Sequence, residues 1–179
     1  MTPYYEEDGI TIYHGDCREV LPTLSGVGLV VTSPPYNLNG DGWSSGGSGK
    51  EWAALGDGYA EHGDDLPRSE YVDWQRSVLS AAWDTLTDDG AIFYNHKPIA
   101  RGPVVQLPLD LNPGLPLRQI ITWDRGSGFC RNPTHFVPSY EWVLLFAKSA
   151  FRINTRSIDD VWRIPFETGG EHPAPPARG

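Results

Sequence analysis

Val27-Gly28-Leu29-Val30-Val31-Thr32-Ser33-Pro34-Pro35-Tyr36-Asn37-Leu38 is the stretch on which the reading of this chain turns. Its first six residues form a continuous apolar run, the mark of a strand buried on both faces of a parallel sheet. The run stops at Ser33-Pro34-Pro35, and because proline cannot continue a central strand the chain must leave the sheet there. In open α/β sheets ligands sit outside the carboxyl ends of the strands. Residues 32–37 lie at such an end.

Working outward, Ile10-Thr11-Ile12-Tyr13 reads as an earlier short strand closed by Gly15-Asp16, with about two helical turns after it over residues 18–24. Residues 39–69 are rich in Gly, Ser and Asp and read as a long mobile loop, a length that in a compact domain usually marks a lid. From Ser69 the spacing of Tyr71, Trp74, Val78 and Ala82, with Leu79, Trp83 and Leu86 beside them, predicts an amphipathic helix that Asp88-Asp89-Gly90 ends. Ala91-Ile92-Phe93-Tyr94 is the next buried strand, so strand, helix and strand make a right-handed parallel crossover. Residues 98–117 hold five prolines and predict no element. Residues 119–123 and 142–147 then form two strands, expected to close the sheet as an antiparallel pair.

The 179 residues suit one domain, expected over 1–179, with a flexible tail from 166. No apolar run is long enough to span a bilayer, the N-terminus is acidic where a signal peptide would be basic, and Cys17 and Cys130 make no disulfide framework. A cytoplasmic protein without a membrane partner is expected. The net charge of -9 argues against nucleic acid, but its distribution does not. Residues 1–96 hold 16 acids and 4 bases, and residues 97–179 hold 7 acids and 10 bases, so a basic side is available.

Thr32-Ser33-Pro34-Pro35-Tyr36-Asn37-Leu38 at the end of a buried strand resembles the catalytic motif of DNA amino-methyltransferases, which methylate N6 of adenine or N4 of cytosine. Further pieces follow in the order of the permuted class. Gly15-Asp16-Cys17 is similar to the acidic turn, residues 71–90 to the next helix and its stop, Ile121–Asp124 and Tyr140-Glu141-Trp142 to the late strands, and Glu171-His172-Pro173 to the lead into the cofactor glycine motif. The resemblance implies a Rossmann-like α/β S-adenosylmethionine-dependent methyltransferase sheet with helices on both faces. It also implies double-stranded DNA as substrate and S-adenosyl-L-methionine as cofactor.

On that resemblance, Ser33, Pro34, Pro35 and Tyr36 are catalytic. An exocyclic amine is a poor nucleophile because its lone pair is delocalised into the ring, and hydrogen-bond acceptors relocalise it. The Ser33 hydroxyl and Pro34 carbonyl accept the amine hydrogens, Pro35 stiffens the turn, and Tyr36 stacks on a flipped base. Asp16, Cys17, Thr32, His172 and Pro173 are expected at the cofactor. Asp16 reads equally as a helix N-cap, and Cys17 as a small packed side chain. Asn37, Arg125, Arg131, Asn132 and His135 are expected at the DNA, the last four in a loop rich in arginine and aromatics, which reads equally as ordinary surface. No metal is expected, and His62, Asp64 and Asp65 read as solvated loop. Serine at the first motif position leans toward cytosine N4 and Asn37 toward adenine N6. The glycine-rich cofactor turn that follows the His-Pro lead in the family does not follow here. The resemblance therefore implies a sheet incomplete at its C-terminal end, with a second polypeptide carrying that turn, or else a non-catalytic remnant that binds DNA or a partner subunit.

Overall fold

The computed structural model describes residues 2–37, 64–101, 103–126, 128, 135–154 and 157–165. The body is a five-stranded mixed sheet. β1 (Tyr5–Glu7) and β2 (Ile10–Ile12) precede it as a separate antiparallel hairpin, followed by the short helix α1 (Cys17–Val20). β3 (Val27–Thr32) leads to the Ser33-Pro34-Pro35-Tyr36 segment, and α2 (Arg68–Thr85) returns the chain to β4 (Leu86–His96). A small hairpin of β5 (Ile99–Arg101) and β6 (Val104–Gln106), and a 3-10 turn at Pro108–Leu111, occupy the proline-rich segment. β7 (Leu117–Asp124), β8 (Tyr140–Ala147) and β9 (Val161–Arg163) complete the sheet in the order β3-β4-β8-β7-β9.

β3 and β4 are parallel, as the strand, helix, strand pattern requires, and β7 and β8 are antiparallel. β8 also runs antiparallel to β4. Its N-terminal end therefore lies among the C-terminal ends of β4 and β7, and this shapes the site.

Period-2 alternation sorts the side chains of β4 and β8 between two clusters. Ile92, Tyr94, Leu144 and Phe146 pack under α2 with Tyr71, Leu79 and Ala82. Ala91, Val143, Leu145 and Ala147 form the other cluster with Ile121, covered by Phe93, Phe151 and Trp162. Among the described residues α2 is the one long helix, so the second face is closed by loop and strand-edge aromatics. The buried stripe of α2 runs Tyr71, Gln75, Leu79, Ala82. Gln75 is tolerated there because the Tyr94 hydroxyl donates to its Oε1 at 2.8 Å.

Several expectations need correction. The strand at 10–12 pairs with 5–7, not with the main sheet, so it and β3 are not neighbours. β3 is an edge strand and is not buried on both faces: Leu29 is 54% and Val31 72% exposed. The helix starts at Arg68 after a Pro67 cap and ends at Thr85, before Asp88-Asp89-Gly90. Those three residues belong to a bulge in β4, because Val27 pairs with Leu86 while Leu29 already pairs with Ala91. Gly90 is required there: a Cβ would lie 3.0 Å from the Val27 carbonyl oxygen and 3.1 Å from the Leu86 Cβ. Most of the expected 39–69 loop and the expected tail lie outside the described residues.

Candidate active site

Ser33-Pro34-Pro35-Tyr36 leaves the C-terminal end of β3 and borders a cleft of about 310 Å³. Ser33, Pro34, Tyr36, Asp64, Asn95, Trp123 and Glu141 line it. The volume is at the low end of small-ligand sites, about 300–1,000 Å³.

Register explains the assembly. Asn95 sits one residue from the end of β4, on the face of Ala91 and Phe93, and Trp123 and Glu141 are direct cross-strand partners on β7 and β8. Glu141 shares its face with Val143 and Leu145, so strand alternation alone brings Asn95, Trp123 and Glu141 to one rim.

Polar contacts then tie the motif to that rim. The Tyr36 hydroxyl donates to Glu141 Oε2 at 2.9 Å, accepts from Asn95 Nδ2 at 2.7 Å and lies 3.0 Å from Ser33 Oγ. Asn95 Nδ2 also donates to Glu141 Oε2 at 2.9 Å. Arg125 Nη1 lies 3.3 Å from Glu141 Oε1, with both side chains mostly buried, and Arg125 Nη2 donates to the Pro138 carbonyl. Two buried atoms here have no partner among the described residues, Asn95 Oδ1 and Arg125 Nε. Burial, then the neighbouring Glu141 charge, pushes the Tyr36 phenol well above the usual tyrosine range, so it stays protonated.

On its other flank the Tyr36 ring lies 4.5 Å from His96, centroid to centroid, with Lys97 Nζ 5.6 Å from the ring centre. His96 Nδ1 donates to the Lys97 carbonyl at 2.8 Å, since a carbonyl only accepts, which leaves Nε2 facing the Tyr71 hydroxyl at 2.8 Å. The Pro35 carbonyl lies 2.8 Å from the same hydroxyl, so the one Tyr71 proton is shared between that carbonyl and His96 Nε2. Burial pushes the His96 pKa down to about 4. Burial likewise lowers that of Lys97, against the opposing pull of Glu141.

Asn37 is a clamp. Its φ of 57° lies in the left-handed region that asparagine tolerates, and its side chain both accepts from the Leu66 amide and donates to the Leu66 carbonyl at 2.7 Å. Its own N–H donates to Asp64 Oδ1 and its carbonyl accepts from Arg101 Nη2, both at 2.6 Å. The expected substrate contact is thus replaced at this side chain by a link to the segment before α2. Asp64, expected as solvated loop, is buried.

The remaining expected residues are scattered. Asp16 caps α1, accepting from the Arg18 amide, and both its carboxylate oxygens bond the Arg18 guanidinium, which holds its pKa at about 2. Of its two readings, the cap is the one this geometry displays. Cys17 is exposed, not packed. Thr32 ends β3 in register with Tyr94. Arg125, expected at the DNA or on ordinary surface, pairs with Glu141 and donates to the Pro138 carbonyl. His135 is half-buried, next to Phe136, which is 99% exposed. Arg131, Asn132, His172 and Pro173 lie outside the described residues.

Sequence reading missed Asn95, Trp123, Glu141 and Asp64. The first three had a signal: the carboxyl-end rule covers β4 and β7, and in a mixed sheet it extends to the N-terminal end of the antiparallel strand between them. Asp64 had none, because its burial depends on the Asn37 clamp.

A family model described as DNA methylase, that of the N6 and N4 amino-methyltransferases, matches residues 27–172. The chain is 27% identical over 154 residues to the Type II methyltransferase M.ScaI of Streptomyces caespitosus, covering 82% of the chain and 43% of that protein. It is 25% identical over 178 residues to the Type II methyltransferase M.MjaVI of Methanocaldococcus jannaschii, covering 89% of the chain and 81% of that protein. Among solved structures, the cytosine-N4-specific PvuII DNA methyltransferase matches with a TM-score of 0.61 at 18% identity, over 90% of the chain and 59% of that structure. At that identity the likeness is one of fold. The chain spans less than half the length of the M.ScaI enzyme.

Proposed function

The chain belongs to the DNA methylase family of N6 and N4 amino-methyltransferases, and from that premise we propose that it methylates the exocyclic amine of cytosine or adenine in double-stranded DNA. The observation that carries the reading is the position of Ser33 and Pro34 at the strand end, on a cleft of about 310 Å³, with Tyr36 fixed behind them by Glu141 and Asn95. An extrahelical amine entering this cleft meets the Ser33 hydroxyl and the Pro34 main chain. Acceptors at those points relocalise the amine lone pair, and holding it in line with a methyl donor is catalysis by proximity and electrostatics.

S-adenosyl-L-methionine is the proposed cofactor; when bound it supplies an electrophilic methyl on a cationic sulfonium. Of the groups lining the cleft, the Asp64 carboxylate and the Trp123 ring would favour that cation, because Glu141 is already paired with Arg125 and the Tyr36 ring already faces Lys97. The adenosine end has less. Asp16, expected there, has its carboxylate on Arg18, and neither Asp16 nor Cys17 lines the cleft.

A second reading follows from β3, whose outer edge is unpaired among the described residues and whose Leu29 and Val31 are exposed. Further polypeptide, in the same or another chain, covers this edge and supplies the cofactor glycine turn. Without it the domain binds DNA or a partner and does not turn over.

Incubation with DNA and isotopically methyl-labelled S-adenosylmethionine, followed by digestion to nucleosides, tests the activity. Label in N4-methylcytidine or N6-methyladenosine deoxynucleosides supports it and names the base; label confined to other nucleosides refutes it. Calorimetry with S-adenosylmethionine separates the two readings. Tight binding assigns the whole cofactor site to these residues, and absence of heat assigns its adenosine half to another segment.

A further inference from the structure

We propose that Glu141 is a positioning residue that sets the direction of every hydrogen bond from the sheet rim to Ser33, so that the Ser33 hydroxyl meets the target base as an acceptor only. The inference rests on the base-pocket reading above.

A carboxylate has no proton to give, so both contacts at Glu141 Oε2 run toward it. This fixes the Asn95 amide, whose nitrogen must face Glu141 at 2.9 Å, and leaves Asn95 Oδ1 buried without a partner among the described residues. It also uses the one proton of Tyr36, donated to Glu141 at 2.9 Å. Ser33 Oγ lies 3.0 Å from Tyr36, and with that phenol proton spent the Ser33 proton must be the one between them. Asn95 Nδ2, 3.4 Å from Ser33 Oγ, has its two protons directed at Tyr36 and Glu141 and reaches Ser33 only as a long shared contact on the same side. The Ser33 lone pairs therefore face the cleft. An exocyclic amine finds an acceptor there, whereas a carbonyl at the same ring position, as in uracil or hypoxanthine, meets lone pair against lone pair. Arg125, 3.3 Å from Oε1, holds the carboxylate in place.

The same reasoning says what an isosteric change does. In Glu141→Gln, Arg125 can only donate, so the new amide oxygen turns to it and the amide nitrogen turns to Tyr36. Asn95 flips so that its Oδ1 accepts from that nitrogen, and Tyr36 also accepts from it. The one Tyr36 proton then has two acceptors, Asn95 Oδ1 in the place of the nitrogen now 2.7 Å away and Ser33 Oγ at 3.0 Å. The Ser33 proton is no longer required between Ser33 and Tyr36, so the hydroxyl can turn either way toward the cleft.

The test is binding of paired nucleosides, deoxycytidine against deoxyuridine and deoxyadenosine against deoxyinosine, followed by chemical-shift perturbation on the full chain. The wild type should prefer the amine of the productive pair by at least about tenfold, equivalent to about 1.4 kcal/mol. Tyr36→Phe, which cuts the link, should bring the ratio to near one, and Glu141→Gln, which frees the Ser33 proton to turn either way, should lower it toward one as well. A purely structural role for Glu141 would weaken both members alike and leave the ratio at its wild-type value, which would overturn the proposal. Equal binding of the wild type to both members also overturns it while leaving the base pocket intact. Failure of all four nucleosides to perturb Ser33 or Tyr36 removes the pocket reading itself, and this inference with it.

Discussion

His96 makes acid a selective stress on this fold. It is 2% exposed, its ring tilted against Tyr36 at 4.5 Å between centroids, and its pKa is pushed down to about 4 by burial, against an ordinary value of about 6.5. As pH falls below 6.5 the unfolded chain takes up a proton that the folded chain refuses until about pH 4. The contribution is therefore complete above pH 6.5 and is lost as pH falls through the window. Integrating between those values gives a loss of about 1.8 kcal/mol from pH 7 to pH 5 from this side chain alone. Carboxylates titrate nearby, so the quantity to measure is a difference. Urea unfolding of wild type and His96→Gln, followed by tryptophan fluorescence at pH 7 and pH 5, should show the wild type losing about 1.8 kcal/mol more than the variant. Ring-carbon NMR of the folded wild type should show His96 still neutral at pH 5. Parallel losses in the two proteins, or a ring half-protonated near pH 6.5, would refute the reasoning.

Three further outcomes follow from the contacts of the site. Asn37→Ala removes the two bonds to Leu66 and places alanine at a positive φ; denaturation should show a loss of about 2–3 kcal/mol, and limited proteolysis should find the segment before α2 more accessible. Arg125→Met leaves the buried Glu141 carboxylate without its cation and should cost about 3 kcal/mol in the same assay, whereas the double variant Arg125→Met, Glu141→Gln should recover part of it. Gly90→Ala should destabilise by about 1–3 kcal/mol, because its Cβ would press on the Val27 carbonyl across the β3–β4 pair.

The strands and the long helix were legible because their apolar patterns are local. Val27–Thr32, Ala91–Tyr94, Gln119–Trp123 and Trp142–Ala147 all fall within observed strands, and the parallel and antiparallel pairings follow from connection length. The edge position of β3 was not legible, since an apolar run states what a strand could bury and not what lies beside it. The bulge over Thr87–Gly90 looked like a helix stop because Asp-Asp-Gly suits either. Of the site, Ser33, Pro34 and Tyr36 announced themselves through proline at a strand end. Asn95 and Glu141 stand 46 residues apart and meet only through the β4–β8 register, so their shared contact with Tyr36 required the pairing to be known. Arg125 illustrates the limit in the other direction: an arginine in a polar loop reads as a surface contact until its buried carboxylate partner is placed.

The central claim is that the Ser33 hydroxyl accepts a hydrogen from the amine being methylated, and single-turnover methyl transfer by Ser33→Ala tests it most directly. With DNA and labelled S-adenosylmethionine, together with the added polypeptide that supplies the cofactor turn if the wild type requires it, the variant should transfer methyl at least about 100-fold more slowly than the wild type. Its affinity for the DNA should stay within about threefold, a difference of about 0.7 kcal/mol. Undiminished transfer by Ser33→Ala, at equal DNA occupancy, would contradict the account.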